Sequence, residues 1–138
     1  MEVYKRKVYY YETDKMGIVH HSNYIRMLEE ARIDFLEKTG KAFDVIEKMG
    51  YMSPVISVGC EYKYPLRFSD EFRVETKLSF FDAVKYGFSY KIIKTDGDVL
   101  CATGESVHCF TDNEGNVVSL WRSDRKLFEH LSAFAERD

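Results

Sequence analysis

The chain has 138 residues, of which 45% are hydrophobic and 31% charged, and its formal net charge is −3. This length suits one domain with a sizeable core, so we predict a single domain over residues 1–138. The negative balance gives no basic field for a phosphate backbone, which argues against nucleic acid as a partner. No run of about 18 apolar residues is present, so no membrane span is predicted.

The N-terminus and the cysteines indicate a compartment. The segment "MEVYKRKVYYY" is charged and strand-like, without the apolar core of a signal peptide, so a cytoplasmic location is expected. Cys60, Cys101 and Cys109 are an odd number of cysteines and have no CxxC spacing. We interpret them as reduced thiols that serve mostly as buried small apolar groups.

The first part of the chain predicts a strand, a loop and a long helix. A strand rich in Tyr and Val is predicted over residues 2–12, and a loop follows it. The helix is predicted to begin at Ser22 or Asn23, either of which can cap it, and to run to Thr39, with Gly40 ending it. Its apolar surface is wider than that of a simple surface helix, which indicates that a sheet surrounds it. The apolar stripe consists of Tyr24, Leu28, Ala31 and Phe35, with Met27 beside it and Ile25, Ile33 and Leu36 outside it.

The remaining segments predict antiparallel strands. "DEFRVETKLSFFDA" and "YGFSYKII" alternate apolar and polar residues, as half-buried strands do. An Asp96-Gly97 turn leads to a further strand in "VLCATGESVHCF", and "TDNEG" forms another turn. Upstream, "PVISVGCEYKYPLRF" is a long strand with Pro65 near a bend, preceded by a short helical connector over residues 43–49. The segment "SDRKLFEHLSAF" predicts a C-terminal helix.

The order of these elements predicts the fold class. Strands grouped after one long helix indicate an α+β fold, with a curved antiparallel sheet around that helix. Such a sheet has exposed edges, and pairing two subunits at an edge would cover one of them. A homodimer is therefore expected.

The loop before the helix carries the candidate catalytic groups. Asp14 precedes His21 by seven residues, and Gly17 lets the backbone turn between them. His20 and His21 stand at the helix entrance, where free N–H groups can polarise a carbonyl oxygen. A nearby carboxylate can attack an acyl carbon or deprotonate a water that does so, which suits acyl transfer to water. From spacing alone, an Asp that only forms a turn is the more frequent case.

The sequence pattern disfavours a cysteine nucleophile and a metal site. Each cysteine lies in a strand-like stretch without an evident partner, so a structural thiol is the expected role. His20, His21 and His108 have no Cys or carboxylate at regular ligand spacing, so no metal site is predicted.

The segment "VYYYETDKMGIVHHSNYIRMLEEARIDFL" resembles the signature of the hotdog-fold acyl-CoA thioesterases. It is most similar to the 4-hydroxybenzoyl-CoA thioesterase family and its Tol–Pal-associated relatives. A weaker similarity continues through "YKYPLRFSDEFRVET" and "ATGESVHCFTDNEGNVV". Two positions depart from the pattern, because Glu12 stands where many members have Asp and His20 replaces the usual Tyr. The matching residues are Thr13, Asp14, Gly17, Ile18, Val19, His21 and Tyr24.

The resemblance implies one hotdog thioesterase domain over residues 1–138 and a role for individual residues. Asp14 falls on the catalytic carboxylate, as nucleophile or as general base. The backbone N–H of His21 falls on the group that faces the thioester oxygen, and its side chain is implicated too. Family members are dimers or tetramers with sites at the subunit interface, and they need no metal or organic cofactor. The candidate substrate-binding residues are Tyr10, Gly17, His20, Tyr24, Lys63 and Arg67, the last two as partners of coenzyme A phosphates.

The expected function is hydrolysis of a small or medium acyl-CoA thioester, with aromatic acyl groups included, to free acid and thiol. Two alternatives stay open: a hotdog dehydratase or hydratase of 3-hydroxyacyl thioesters, and an acyl-thioester-binding module without catalysis. The Asp–Gly–His order argues against the first, and a carboxylate beside the thioester carbonyl argues against the second. The sequence leaves open the acyl chain and the choice between coenzyme A and acyl carrier protein, although the acidic balance disfavours an acidic carrier protein.

Overall fold

The computed structural model describes residues 1–135 and consists of one antiparallel sheet and a long helix with three short ones. The strands lie in the order β1-β3-β4-β5-β2, so β1 and β2 form the two edges. This arrangement confirms the predicted α+β class and the hotdog fold. The strands are β1 (Tyr4–Lys7), β2 (Val55–Tyr62), β3 (Glu71–Phe81), β4 (Lys85–Lys94) and β5 (Val99–Cys109). The helices are α1 (Ser22–Lys38), α2 (Phe43–Lys48), α3 (Leu120–Ser123) and α4 (Arg125–Ser132).

Helix α1 packs against the inner face of the sheet and forms the core with it. The predicted apolar stripe is buried throughout, and Leu36 beside it is buried too, whereas Ile33 is exposed. Close approach of helix and sheet depends on Gly104 of β5, where a Cβ would lie 2.7 Å from Cδ1 of Leu28. The strand residues that complete this core include Phe72, Val74, Leu78, Phe88, Tyr90 and Ile92.

The N-terminal strand is shorter than the predicted residues 2–12. β1 ends at Lys7, and a 3-10 turn over Tyr10–Glu12 follows it. The side chain of Glu12 bends the chain back, because its Oε1 accepts hydrogen bonds from the Tyr9 N–H and from Arg6, each at 2.8 Å. The Tyr-rich composition favours an extended strand, but these contacts of Glu12 end the strand earlier.

The predicted N-cap of α1 is wrong, whereas the predicted end is confirmed, because Gly40 follows Thr39 with a φ of +89°. The helix begins at Ser22 with His21 in the cap position, and no cap hydrogen bond comes from a side chain at that position. Instead, Nδ1 of His20 accepts the Ser22 N–H at 3.3 Å, while Asn23 donates through Nδ2 to the Glu12 carbonyl at 2.9 Å. Asn23 therefore ties the helix to the preceding loop.

The other elements agree with prediction in type. β2 is shorter than predicted, because it ends at Tyr62 and Pro65 lies in the loop beyond it. The turn between β4 and β5 has Gly97 at a φ of +82°, as an Asp-Gly turn requires. The cysteines are free, with Cys101 and Cys109 buried. No helix within residues 1–135 is both long and apolar enough to cross a membrane.

Candidate active site

The loop before α1 folds into a narrow hairpin that positions Asp14. The Asp14 N–H donates to the Ile18 carbonyl at 2.8 Å, and the Gly17 N–H donates to the Asp14 carbonyl at 3.0 Å. Gly17 has a φ of +78°, which L side chains rarely adopt, so the turn requires a glycine. The hairpin closes where the His20 N–H donates to the Glu12 carbonyl at 2.8 Å.

The carboxylate of Asp14 is half-buried and is not neutralised by a cation among the described residues. Its Oδ1 accepts the Met16 N–H at 2.8 Å, an Asx-type contact that fixes the side chain. No ion pair joins Asp14 to a Lys, Arg or His within the described residues 1–135. The carboxylate therefore has an oxygen available for a ligand.

The start of α1 provides a backbone N–H without an acceptor. The neighbouring N–H groups are occupied: that of His20 by Glu12, that of Ser22 by the His20 ring, and that of Asn23 by the His20 carbonyl. Across residues 1–135, no atom accepts a hydrogen bond from the His21 N–H. A helix N-terminus carries roughly half a positive charge, so this N–H can polarise a docked oxygen.

Asp14 and His21 line the same surface cavity, which has a volume of about 380 Å³. This volume lies at the lower end of the range for small-molecule sites. The walls between the two polar groups are largely apolar and aromatic. They consist of Met16, Ile18, Val19, Tyr24, Tyr62, Tyr64 and Pro65, with Lys63 as the cation.

Two tyrosines hold the helix start against the sheet. The buried Tyr24 hydroxyl accepts the Leu66 N–H at 3.1 Å, and the Tyr62 hydroxyl donates to the His21 carbonyl at 3.2 Å. Their rings meet edge to face with centroids 5.1 Å apart. Burial raises the pKa of both hydroxyls, so both stay neutral at physiological pH. Tyr62 could not be recognised from the sequence, because nothing in its strand pattern marks it.

The other predicted residues occupy different places. Lys63 lines the cavity and pairs with Glu61 at 3.1 Å. The Arg67 side chain is exposed and does not line the cavity. Tyr10 is 75% exposed and packs edge-on against Phe68, with centroids 5.4 Å apart. Of the eight predicted residues, the structure brings Asp14, His21, Tyr24 and Lys63 together at the cavity.

His20 lies beside the cavity without lining it. It is exposed, its ring lies 4.2 Å from that of His21 between centroids, and its Nδ1 lies 2.8 Å from the Ser22 hydroxyl. His108 is separate from this pair, because it is fully buried in the core. Within residues 1–135, no three His, Cys, Asp or Glu side chains come together as a metal site.

A hotdog sheet with a carboxylate loop at the start of its long helix defines a class, the hotdog thioester hydrolases. Residues 8–133 match the family model of the Thioesterase-like superfamily, so the chain belongs to that superfamily. This confirms the predicted hotdog thioesterase family and the enzyme class, thioester hydrolase.

Individual relatives agree with this assignment. A provisionally named esterase of Aquifex aeolicus is 40% identical over 118 residues, which cover 86% of this chain and 90% of the relative. YneP of Bacillus subtilis, provisionally named an acyl-CoA thioesterase, is 34% identical over 116 residues, which cover 83% of each chain. The crystal structure of a DHNA-CoA thioesterase from Staphylococcus aureus superposes with a TM-score of 0.89 at 26% identity, over 95% of this chain and 88% of that one.

Proposed function

We propose that the protein hydrolyses acyl-CoA thioesters, with Asp14 as the catalytic carboxylate and the His21 N–H as the donor to the thioester oxygen. One observation carries the proposal: an unpaired carboxylate and a helix-start N–H without an acceptor belong to residues that line one cavity. Negative charge develops on the carbonyl oxygen as the acyl carbon is attacked. A hydrogen-bond donor that is already oriented toward this charge typically increases the rate by about 10²–10³-fold.

Two routes lead to the same products. As general base, Asp14 takes a proton from a water whose oxygen attacks the acyl carbon, and the tetrahedral intermediate then expels the coenzyme A thiolate. As nucleophile, the carboxylate attacks the acyl carbon, the C–S bond breaks and the coenzyme A thiolate leaves, and water then hydrolyses the resulting mixed anhydride. In both routes the reacting groups are a carboxylate, a backbone N–H and water, so we propose that no metal or organic cofactor takes part.

The cavity walls favour a small or medium acyl group. Aromatic side chains such as Tyr24, Tyr62 and Tyr64 can contact an aryl acyl group edge to face. Within residues 1–135, the Lys63 ammonium pairs only with the exposed Glu61, so a phosphate can recruit it at little cost. The S. aureus relative named for DHNA-CoA also supports an aromatic substrate.

The carrier and the compartment follow from charge and from the cysteines. The net charge of −3 repels an acidic carrier protein, which favours coenzyme A as the carrier. The three cysteines are free, which supports a reducing, cytoplasmic location.

We expect the purified protein to release free thiol from acyl-CoA substrates. A panel of acetyl-, hexanoyl-, benzoyl- and palmitoyl-CoA, monitored with a thiol reagent, should give the highest kcat/KM for hexanoyl- or benzoyl-CoA. Palmitoyl-CoA should be slower by about tenfold or more, because its long acyl chain does not fit a cavity of about 380 Å³.

Adding crotonyl-CoA to this panel separates the alternative functions. Hydration of crotonyl-CoA without thiol release would identify a hydratase. Thermal stabilisation by acyl-CoA with neither reaction would identify a binding module. Either result would contradict the proposal.

We propose that two copies of the chain pair through the outer edge of β2. β2 is an edge strand, and an uncovered edge with apolar side chains is an aggregation hazard. Because Tyr62 bonds the His21 carbonyl, this interface would border the active site. The exposed apolar residues on the strand are Val55 (49%), Ile56 (48%), Val58 (44%) and Tyr62 (50%).

The substitution Val58→Lys should convert the dimer to a monomer, because it places a charge at the centre of that edge. Size-exclusion chromatography with light scattering measures the mass. The matched control is Val117→Lys, at a 61% exposed valine outside the sheet strands, which should leave the dimer intact. A dimeric Val58→Lys protein would move the interface away from β2.

A further inference from the structure

We propose that Arg6 and Glu12 are positioning residues that fix Asp14 relative to the N-terminus of α1. The inference rests on the proposed function. Asp14 belongs to the hairpin and His21 to the helix start, so the reaction requires these two elements to keep one relative position. Arg6, on β1, is bonded to both elements through its side chain.

Arg6 donates to a carboxylate on each element. Its Nη1 and Nη2 donate to the two oxygens of Glu12, each at 2.8 Å, and Glu12 begins the hairpin. Its Nε donates to Oε1 of Glu30 at 2.9 Å, and Glu30 belongs to α1. A guanidinium is planar and rigid, so one group sets the distance between both carboxylates.

The guanidinium is held in place on several sides. The Arg6 side chain is 10% exposed and that of Glu12 is 3% exposed, so solvent hardly screens their pairing. The ring centroid of Tyr9 lies 4.3 Å from the Arg6 Cζ, and that of Phe72 lies 5.0 Å away. Arg6 also donates through Nη1 to the Lys7 carbonyl at 2.8 Å. These contacts together restrict the conformation of the Arg6 side chain.

Glu12 connects Arg6 to the hairpin that carries Asp14 and to the helix start that carries His21. Its carbonyl accepts the His20 N–H at 2.8 Å and the Asn23 Nδ2 at 2.9 Å, so it is bonded to the start of α1. Its carboxylate also accepts the Tyr9 N–H at 2.8 Å. Asp14 follows two residues later in the same hairpin. A shift of Glu12 therefore changes the separation between the Asp14 carboxylate and the helix N-terminus.

The Arg6–Glu12 pair stays charged over the pH range of an assay. Burial raises the pKa of the Glu12 carboxyl, but hydrogen bonds from Arg6 and from the Tyr9 N–H outweigh this and leave the pKa below its usual range. The pKa of Arg6 is raised, because its bonds to Glu12 and Glu30 outweigh the effect of burial.

The substitution Arg6→Lys tests the inference. Lysine keeps the charge but offers a point donor in place of the fork, so it cannot hold both carboxylates in one plane. Because a displacement of about 1 Å can cost about 10²-fold in rate, we expect kcat for thiol release to fall by about 10- to 100-fold. KM should change by less than about threefold, since Arg6 does not line the cavity. Unchanged kcat in a folded Arg6→Lys protein would overturn the inference.

Arg73→Lys is the matched control. Arg73 also bonds two carboxylates, Glu75 at 3.1 Å and Asp98 at 2.8 Å, but it lies on β3 and outside the hairpin. This variant should keep kcat within about twofold. Thermal unfolding of both variants is recorded, and rates are compared at a temperature at which both are folded. If Arg6→Lys does not fold, Asn23→Ala replaces it, and its kcat should fall with KM unchanged, because it removes a single bond to Glu12.

A double-mutant cycle separates positioning from a purely structural role. In an Asp14→Asn background, Arg6→Lys should change the residual rate by less than about twofold, because Asp14 no longer needs to be positioned. The same loss in both backgrounds would overturn the inference. The two proposals fail differently: an active Asp14→Asn protein contradicts the proposed function, whereas an inactive one with a fully active Arg6→Lys protein contradicts only the positioning role.

Discussion

Replacing Asp14 by Asn will lower kcat for thiol release by about 10³-fold or more, because an amide can neither attack the acyl carbon nor accept a proton from water. The amide has nearly the same shape, and its oxygen can still accept the Met16 N–H that holds the side chain. The hairpin should therefore keep its conformation, and the thermal midpoint should move little. Steady-state kinetics on the best acyl-CoA of the panel measure the effect.

A matched control for this substitution is Asp112→Asn. Asp112 also accepts backbone N–H groups within a turn, those of Glu114 and Asn116, each at 2.9 Å. It lies in the turn after β5 and does not line the cavity, so activity should stay within about twofold. An Asp14→Asn protein that keeps more than about a tenth of wild-type kcat would remove Asp14 from the mechanism.

A single-turnover experiment in ¹⁸O water tests whether Asp14 acts as a nucleophile whose anhydride is hydrolysed at the Asp14 carbonyl carbon. As general base, Asp14 never bonds to the acyl group, so the label appears only in the released acid. As nucleophile, Asp14 shares an oxygen with the acyl group, and water that attacks the Asp14 carbonyl leaves the label on Asp14. Mass spectrometry of the peptide that contains Asp14 reads this outcome.

The fold could be predicted because burial on one face leaves a period in the sequence. In β3, Phe72, Val74 and Leu78 alternate with polar residues that are more exposed, and all three are buried in the core. The wide apolar stripe of α1 likewise indicates a helix that packs inside a sheet. Asp14 and His21 could be paired because they lie in one hairpin and the helix start that follows it.

Features that depend on contacts between distant residues could not be predicted. The end of β1 depends on how the Glu12 side chain meets Arg6, and no local pattern records that contact. The contribution of Tyr62 depends on the register of β2 against the helix start. The place of Tyr10 in the motif predicts a residue of the site, yet its ring packs on Phe68 outside the cavity.

Acidification will destabilise the protein through His108, which lies buried in the core beside a cation. Its Nε2 is 2.7 Å from the Ser106 hydroxyl and 3.4 Å from Nη1 of Arg32. Its Nδ1 is buried and has no hydrogen-bond partner among residues 1–135. Burial, together with the charge of Arg32, lowers the pKa of His108 from 6.5 to about 4. The folded state therefore holds this ring neutral.

The sign of the effect follows from proton linkage. Between pH 6.5 and pH 4, the unfolded chain binds a proton at His108 and the folded chain does not. The free energy of unfolding therefore falls as the pH falls through this window, by up to about 1.4 kcal/mol per pH unit and about 3 kcal/mol in all. Above pH 6.5 the contribution of His108 is constant, because both states are neutral.

Urea unfolding of wild type and His108→Gln between pH 7 and pH 4 measures this contribution. Glutamine does not titrate, so the variant should lose less stability on acidification, and the two curves of unfolding free energy against pH should converge toward low pH. Parallel curves for wild type and His108→Gln would show that other groups govern the acid response, since only a residue whose proton affinity differs between the two states can produce a slope.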